Sequence, residues 1–160
     1  MSTTPTEVLV LAFLIGVVAG LRSLTAPALV AWAAHRNWLN LHNTLLSFMA
    51  STAAVVIFTL LAVAELVADK LPFAPGRLKP PGLIARIVFG GLSGASVAVS
   101  GAQPIVLGTV LGVVGGIAGA FAGYQVRTRL VKALKVPHLV IALLEDVVAI
   151  GGGLFIVSRF

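Results

Sequence analysis

The sequence contains the stretch Ile105-Val-Leu-Gly-Thr-Val-Leu-Gly-Val-Val-Gly-Gly-Ile-Ala-Gly-Ala-Phe-Ala-Gly-Tyr-Gln-Val126, which holds 22 residues and no charged side chain. A helix needs about 20 mainly apolar residues to cross a bilayer core. Its six glycines fall within an arc of about 100°: Gly108, Gly112, Gly115, Gly116, Gly119 and Gly123. Small residues on one face let membrane helices pack closely, so the stretch predicts a transmembrane helix with a packing stripe.

The composition of the whole chain agrees with a membrane protein. Of 160 residues, 59% are hydrophobic and 10% are charged, whereas a soluble domain has about 25% charged residues. The mean hydropathy is +1.09. We therefore expect residues 1–160 to form one all-α integral membrane domain.

Five apolar runs are candidates for transmembrane helices, at residues 8–34, 45–68, 83–100, 105–126 and 139–157. Eight of the eleven Lys and Arg residues lie after the second and the fourth run, and two lie on the other side. Because basic residues collect in cytoplasmic loops, this count predicts a five-helix bundle with a cytoplasmic N-terminus and an external C-terminus. The proline-rich loop at residues 70–82 is predicted to be stiff and extended.

A weak repeat is also visible, because Gly16-Val-Val-Ala-Gly20 resembles Gly119-Ala-Phe-Ala-Gly123. In a five-helix topology the first and fourth spans run antiparallel, as in an inverted-topology repeat. Chance similarity between glycine-rich helices stays open as the alternative.

One basic residue, Arg22, lies inside the first run beside Ser23, Thr25 and Pro27. Proline removes a backbone donor and frees a carbonyl, so we expect the first helix to kink or break near Pro27. A re-entrant first span is the alternative. A charge at this depth needs partners.

Four acidic residues can meet Arg22. Glu65 and Asp69 share one helix face at i, i+4 spacing, and Glu145 and Asp146 lie in the last run. We expect Glu145, the deepest acid, to pair with Arg22, with Glu65 second and an anionic ligand third. The candidate site for a solute or ion consists of seven polar or charged residues: Arg22, Ser23, Thr25, Glu65, Asp69, Glu145 and Asp146.

Two functions fit this pattern. The first is transport or permeation of a small polar solute or ion, and the second is a structural or accessory role with buried ion pairs. No catalytic residue, cofactor or metal is expected, because the chain has no Cys, its three His are scattered and no nucleophile stands beside a base. Nucleic-acid binding is not expected either, because the basic residues follow the membrane topology.

The expected partners are the lipid bilayer and a second copy of the chain. A homodimer or higher oligomer could form along a glycine stripe, preferably that of residues 105–126. Packing within one chain is the alternative reading of the same stripe.

Several segments together resemble a family of small bacterial membrane proteins, with plant relatives, known only as a domain of unknown function. They are Gly20-Leu-Arg-Ser23 with Thr25-Ala-Pro27, Glu65-Leu-Val-Ala-Asp-Lys-Leu-Pro72, the Arg77 and Pro80 loop that leads to Arg86, and Leu144-Glu-Asp-Val-Val-Ala149. The resemblance implies a polytopic protein of the bacterial inner membrane. It implies no activity.

Overall fold

The computed structural model describes residues 3–70, 78–135 and 137–160. Within these ranges every regular element is a helix and there is no strand, which confirms the all-α class. A short 3-10 helix at Ser47–Ala50 precedes the third of six α-helices. The α-helices are α1 (Pro5–Leu21), α2 (Thr25–His35), α3 (Thr52–Ala68), α4 (Pro80–Ser100), α5 (Ile105–Leu134) and α6 (His138–Val157).

Three of these helices, α4, α5 and α6, are long and apolar enough to cross a membrane. The helices α1 and α3 are apolar but have 17 residues each, the lower end of the usual range of about 17–25. The described chain thus has the helices of a membrane protein, while the predicted five-helix bundle is not confirmed. Most of the predicted stiff loop, residues 71–77, lies outside the described residues. Pro80 and Pro81 belong to α4, where proline is tolerated in the first turn.

The first apolar run forms a helical hairpin instead of one kinked helix. Val18 of α1 and Leu29 of α2 both face Gly153 of α6, although a continuous helix would place them about 16 Å apart. The chain turns back at Arg22, whose backbone is extended (φ −140°, ψ 107°). The expected break near Pro27 is confirmed, although it lies at residues 22–24 and the chain folds back there, as in the re-entrant alternative. Pro27 itself lies in the first turn of α2, where its missing N–H has no helical partner to lose.

This hairpin changes the topology. The start of α1 meets the end of α4, where Gly101 faces Val8, and the end of α6, where Glu7 and Arg159 line one cavity. The end of α1 meets the end of α3 and the start of α4. The six helices therefore alternate in direction, and residues 3 and 160 lie at the same end of the bundle, here called the terminal end.

The opposite end is called the basic end. It carries seven Lys and Arg residues of the described chain, namely Lys70, Lys79, Arg86, Arg127, Arg129, Lys132 and Lys135. Arg36 and Arg159 lie at the terminal end. The grouping of basic residues at one end agrees with the prediction. Residues 3 and 160 lie at the same end of the bundle and not at opposite ends as predicted, because the first run folds back as a hairpin.

The core of the bundle is α5 packed between α1 and α4. Gly16 of α1 faces Gly112, and Gly20 faces Gly116 further along α5, so α1 and α5 run parallel. The expected antiparallel pair of an inverted repeat is therefore wrong. On α4, Gly94 faces Gly108 and Gly90 faces Gly116, so α4 runs antiparallel to α5.

The glycine stripe of α5 packs against other helices of the same chain. A Cβ at Gly112 would fall on the carbonyl oxygen of Gly90, one at Gly115 on that of Phe13, and one at Gly119 on that of Val17. The stripe is buried between α1 and α4, so it cannot serve as the predicted seam between subunits. Homo-oligomerisation by another face stays a prediction.

We expect Gly112→Ala to prevent stable folding, because the added methyl group meets backbone that cannot move without separating α4 from α5. Gly151→Ala on α6 is the matched control, since nothing lies within 4 Å of its Cβ position and alanine favours the helix by up to about 1 kcal/mol. Thermal unfolding of both variants in mild detergent checks this. Equal melting temperatures would contradict the packing described here.

Labelling of single cysteines tests the topology, because the chain has no Cys of its own. We expect Thr3→Cys and Ser158→Cys to react with a membrane-impermeant thiol reagent from the same side, and Lys132→Cys from the other side. Labelling of Thr3→Cys and Ser158→Cys from opposite sides would restore the five-pass topology.

Candidate functional site

The site is built around Arg22, which caps α1 and has 0% exposure. Its guanidinium forms ion pairs with Asp69, the residue that ends α3, and with Asp146 of α6. The Nη2 atom lies 2.5 Å from Asp146 Oδ1. Arg22 therefore ties the hairpin to two other helices through ion pairs in which its own guanidinium is fully buried.

Lys70 is a second cation on Asp146. Its Nζ donates to Asp146 Oδ2 over 3.0 Å and to the carbonyl of Leu66 over 2.9 Å. Asp146 thus receives Arg22 on one oxygen and Lys70 on the other. Two cations share one nearly buried carboxylate, so a change at either cation alters the other pair.

Glu65 binds the start of α2. Its Oε1 accepts from the Ser23 N–H over 2.9 Å and from the Ser23 hydroxyl over 2.6 Å, and its Oε2 accepts from the Leu24 N–H over 2.8 Å. The N-cap residue of α2, Leu24, has no side-chain cap of its own. A carboxylate from α3 therefore satisfies backbone donors at the helix break and complements the positive end of the α2 dipole.

Arg86 was missed by the sequence analysis, which counted it as a loop base. It is 5% exposed, and its Nε donates over 2.9 Å to the carbonyl of Gly20 in the last turn of α1. Its Nη1 donates to the Gly82 carbonyl over 2.8 Å. Pro80 was the sequence signal that could have located Arg86 within a helix. Proline favours the first helical position, and a helix that begins at Pro80 places Arg86 nearly two turns from its start.

The prediction that Glu145 is the partner of Arg22 is wrong. Glu145 Oε2 lies 4.0 Å from Nη1 of Arg127 on α5, and the adjacent Asp146 takes Arg22. Neighbouring residues on a helix point about 100° apart. Asp146 faces the hairpin and Glu145 faces α5.

Nη1 and Nη2 of Arg22 are held in ion pairs, but two other polar atoms at the break have neither an ion pair nor a hydrogen bond within the part of the chain that the structure describes. They are Nε of Arg22 and Oγ1 of Thr25, a residue with 4% exposure. Buried polar atoms are nearly always hydrogen-bonded. These two are therefore the atoms at the break that can bind a further group.

The cluster is close to electrically neutral, with Arg22, Lys70 and Arg86 opposite Glu65, Asp69 and Asp146. Its exposure rises toward the basic end: the side chains are 0% exposed at Arg22, 22% at Asp69 and 29% at Lys70. Toward the terminal end lies an apolar core that includes Ile15, Val30 and Ile156. Among the described residues, no group of three His, Asp or Glu side chains could hold a metal ion.

Residues 9–158 match the model of a family described as a domain of unknown function, DUF4126. The chain belongs to the DUF4126 family. This confirms the resemblance stated from the sequence, and the match includes all seven predicted site residues. Neither the curated proteins nor the solved structures contain a match to this DUF4126 chain.

For this DUF4126 protein we expect Arg22→Leu to lower the free energy of unfolding by about 3–5 kcal/mol, because it leaves two carboxylates without their buried partner. Adding Asp146→Leu should recover part of that loss. Chemical unfolding in mild detergent, arranged as a double-mutant cycle, measures the coupling. The same cycle with Glu145→Leu is the control and should show little coupling to Arg22.

Proposed function

We propose that the protein is a small integral membrane protein for transport or permeation, and that the Arg22 cluster binds a small polar solute or an ion. The observation that carries this proposal is a fully buried guanidinium at a helix break, shared by carboxylates from two other helices. Ionisable groups at membrane depth mark ion and solute pathways. Broken helices with polar ends are typical of transporter binding sites.

The pairing supports exchange of partners inside the cluster. A proton or small cation on Asp69 or Asp146 would weaken the hold of that carboxylate on Arg22, and Lys70 already stands on Asp146 as a second cation. A polar solute could bind the Arg22 Nε and the Thr25 hydroxyl. Arg22 then acts as the counter-charge, and Asp69 and Asp146 act as the groups that sense or carry the cation.

Access to the cluster is one-sided. Asp69 and Lys70 are partly exposed at the basic end, whereas apolar side chains of α1, α2 and α6 fill the path to the terminal end. Passage therefore requires a second conformation that opens this apolar layer.

The competing function is a structural or accessory role without a transported substrate. It is favoured by the way that Glu65 and Arg86 satisfy the backbone at the two helix ends of the break. In that case the charges fix the position of the hairpin. The two functions predict different results when a carboxylate is replaced by its uncharged amide: loss of ion flux in a folded protein for transport, and loss of stability for the structural role.

Proteoliposomes with a pH-sensitive dye and with Na⁺- or K⁺-sensitive dyes distinguish the two functions. We expect flux of at least one of these ions, lowered at least tenfold by Asp146→Asn or Asp69→Asn in protein that still elutes as a single folded species. Glu145→Gln is the matched control and should keep most of the flux. If the wild type passes none of the three ions and the Asn variants lose stability, the structural role stands in place of transport.

Orientation and assembly complete the proposal. From the excess of basic residues we infer that the basic end faces the cytoplasm, so that both described termini would lie outside a bacterial inner membrane. A homodimer would use lipid-facing side chains, such as those of α3 or α6, since the glycine stripe is buried.

A further inference from the structure

A second cavity lies between α5 and α6 toward the basic end. It has a volume of about 220 Å³ and is called here the α5–α6 crevice. Its walls are mainly apolar and include Leu21, Ala122, Val126, Leu130, Ile141 and Val148. Val126 is 55% exposed and Val148 is 61% exposed, so the crevice opens on the outer surface of the bundle, where the helices would face lipid.

The size and the lining of the crevice indicate which kind of molecule can bind in it. Pockets for whole small molecules have volumes of about 300–1,000 Å³, so this crevice is too small for a drug-sized molecule. Its apolar wall offers little to a polar solute. A segment of one hydrocarbon chain fits both its size and its surface.

Basic residues stand where a lipid headgroup would lie. The helix α5 has 30 residues, about 45 Å, and therefore extends about 15 Å beyond a hydrocarbon core of about 30 Å. Arg127, whose side chain is 23% exposed, lines the crevice and lies near Glu145. The exposed Arg129 and Lys132 follow on the projecting part of α5.

We propose that the α5–α6 crevice binds an anionic phospholipid. One acyl chain lies along the apolar wall, and the phosphate of the headgroup binds Arg127 and Arg129 at the basic end. Basic sites between membrane helices recognise anionic headgroups in this way. Lipid binding at this crevice requires no transport activity, so it is tested independently of the proposed function.

Native mass spectrometry of the protein in mild detergent tests this binding, with phosphatidylglycerol and phosphatidylcholine as the probes. We expect the wild type to bind one phosphatidylglycerol at least tenfold more tightly than phosphatidylcholine. Val148→Trp should fill the crevice and lower the affinity for phosphatidylglycerol at least tenfold. Val147→Trp is the matched control, because Val147 is similarly exposed at 69% but does not line the crevice.

A second pair of matched variants tests the contact with the lipid headgroup. Arg127→Gln with Arg129→Gln should abolish the preference for phosphatidylglycerol, whereas Arg36→Gln with Arg159→Gln removes the same charge at the terminal end and should keep it. Arg129→Gln alone, which leaves the Arg127 contact with Glu145 intact, should lower the preference in a protein with unchanged melting temperature. The proposal is overturned if both tryptophan variants bind alike, if both double variants bind alike, or if the wild type shows no preference.

Discussion

A guanidinium withdrawn from solvent is the constraint on which this structure depends. Arg22 cannot be neutralised at any ordinary pH, and a lone charge inside a membrane protein is costly. The chain meets this requirement by bringing Asp69 and Asp146 to the same point. The ends of α1 and α3, the start of α2 and the third turn of α6 are thereby held together.

The break at Arg22 creates further demands that other residues meet. A helix that ends inside a bilayer leaves carbonyl groups without partners, and one that begins there leaves N–H groups without partners. Arg86 donates to the free carbonyl of Gly20 at the end of α1. Glu65 accepts from the free N–H groups of Ser23 and Leu24 at the start of α2. The charged residues at this depth thus satisfy the backbone as well as each other. Glycine contacts between α1, α4 and α5 keep the surrounding helices close enough for these short bonds.

Composition and apolar periodicity were sufficient for the all-helical class, for the bounds of α4 and α6 within three residues, and for the grouping of the basic residues at one end. The local sequence predicted a break near Pro27 and left a re-entrant first span open, but it could not decide for the hairpin, because the run at residues 8–34 is also long enough for one tilted span. The partner of Arg22 was assigned to the deeper acid, but the rotation of α6 decides between Glu145 and Asp146, and packing sets that rotation. Arg86 was overlooked because the helix was taken to begin at residue 83, which placed Arg86 at a boundary.

The position of Asp146 has a consequence for biosynthesis. Arg22 and its hairpin are translated first, Asp69 follows about fifty residues later, and Asp146 comes only in the last helix. A nascent chain that has reached α5 carries the buried cation, but lacks the second carboxylate that accepts it. The arrival of α6 in the bilayer is therefore the event that completes the charge cluster. The cluster is thus completed late, when Asp146 reaches a residue that was made about 120 residues earlier.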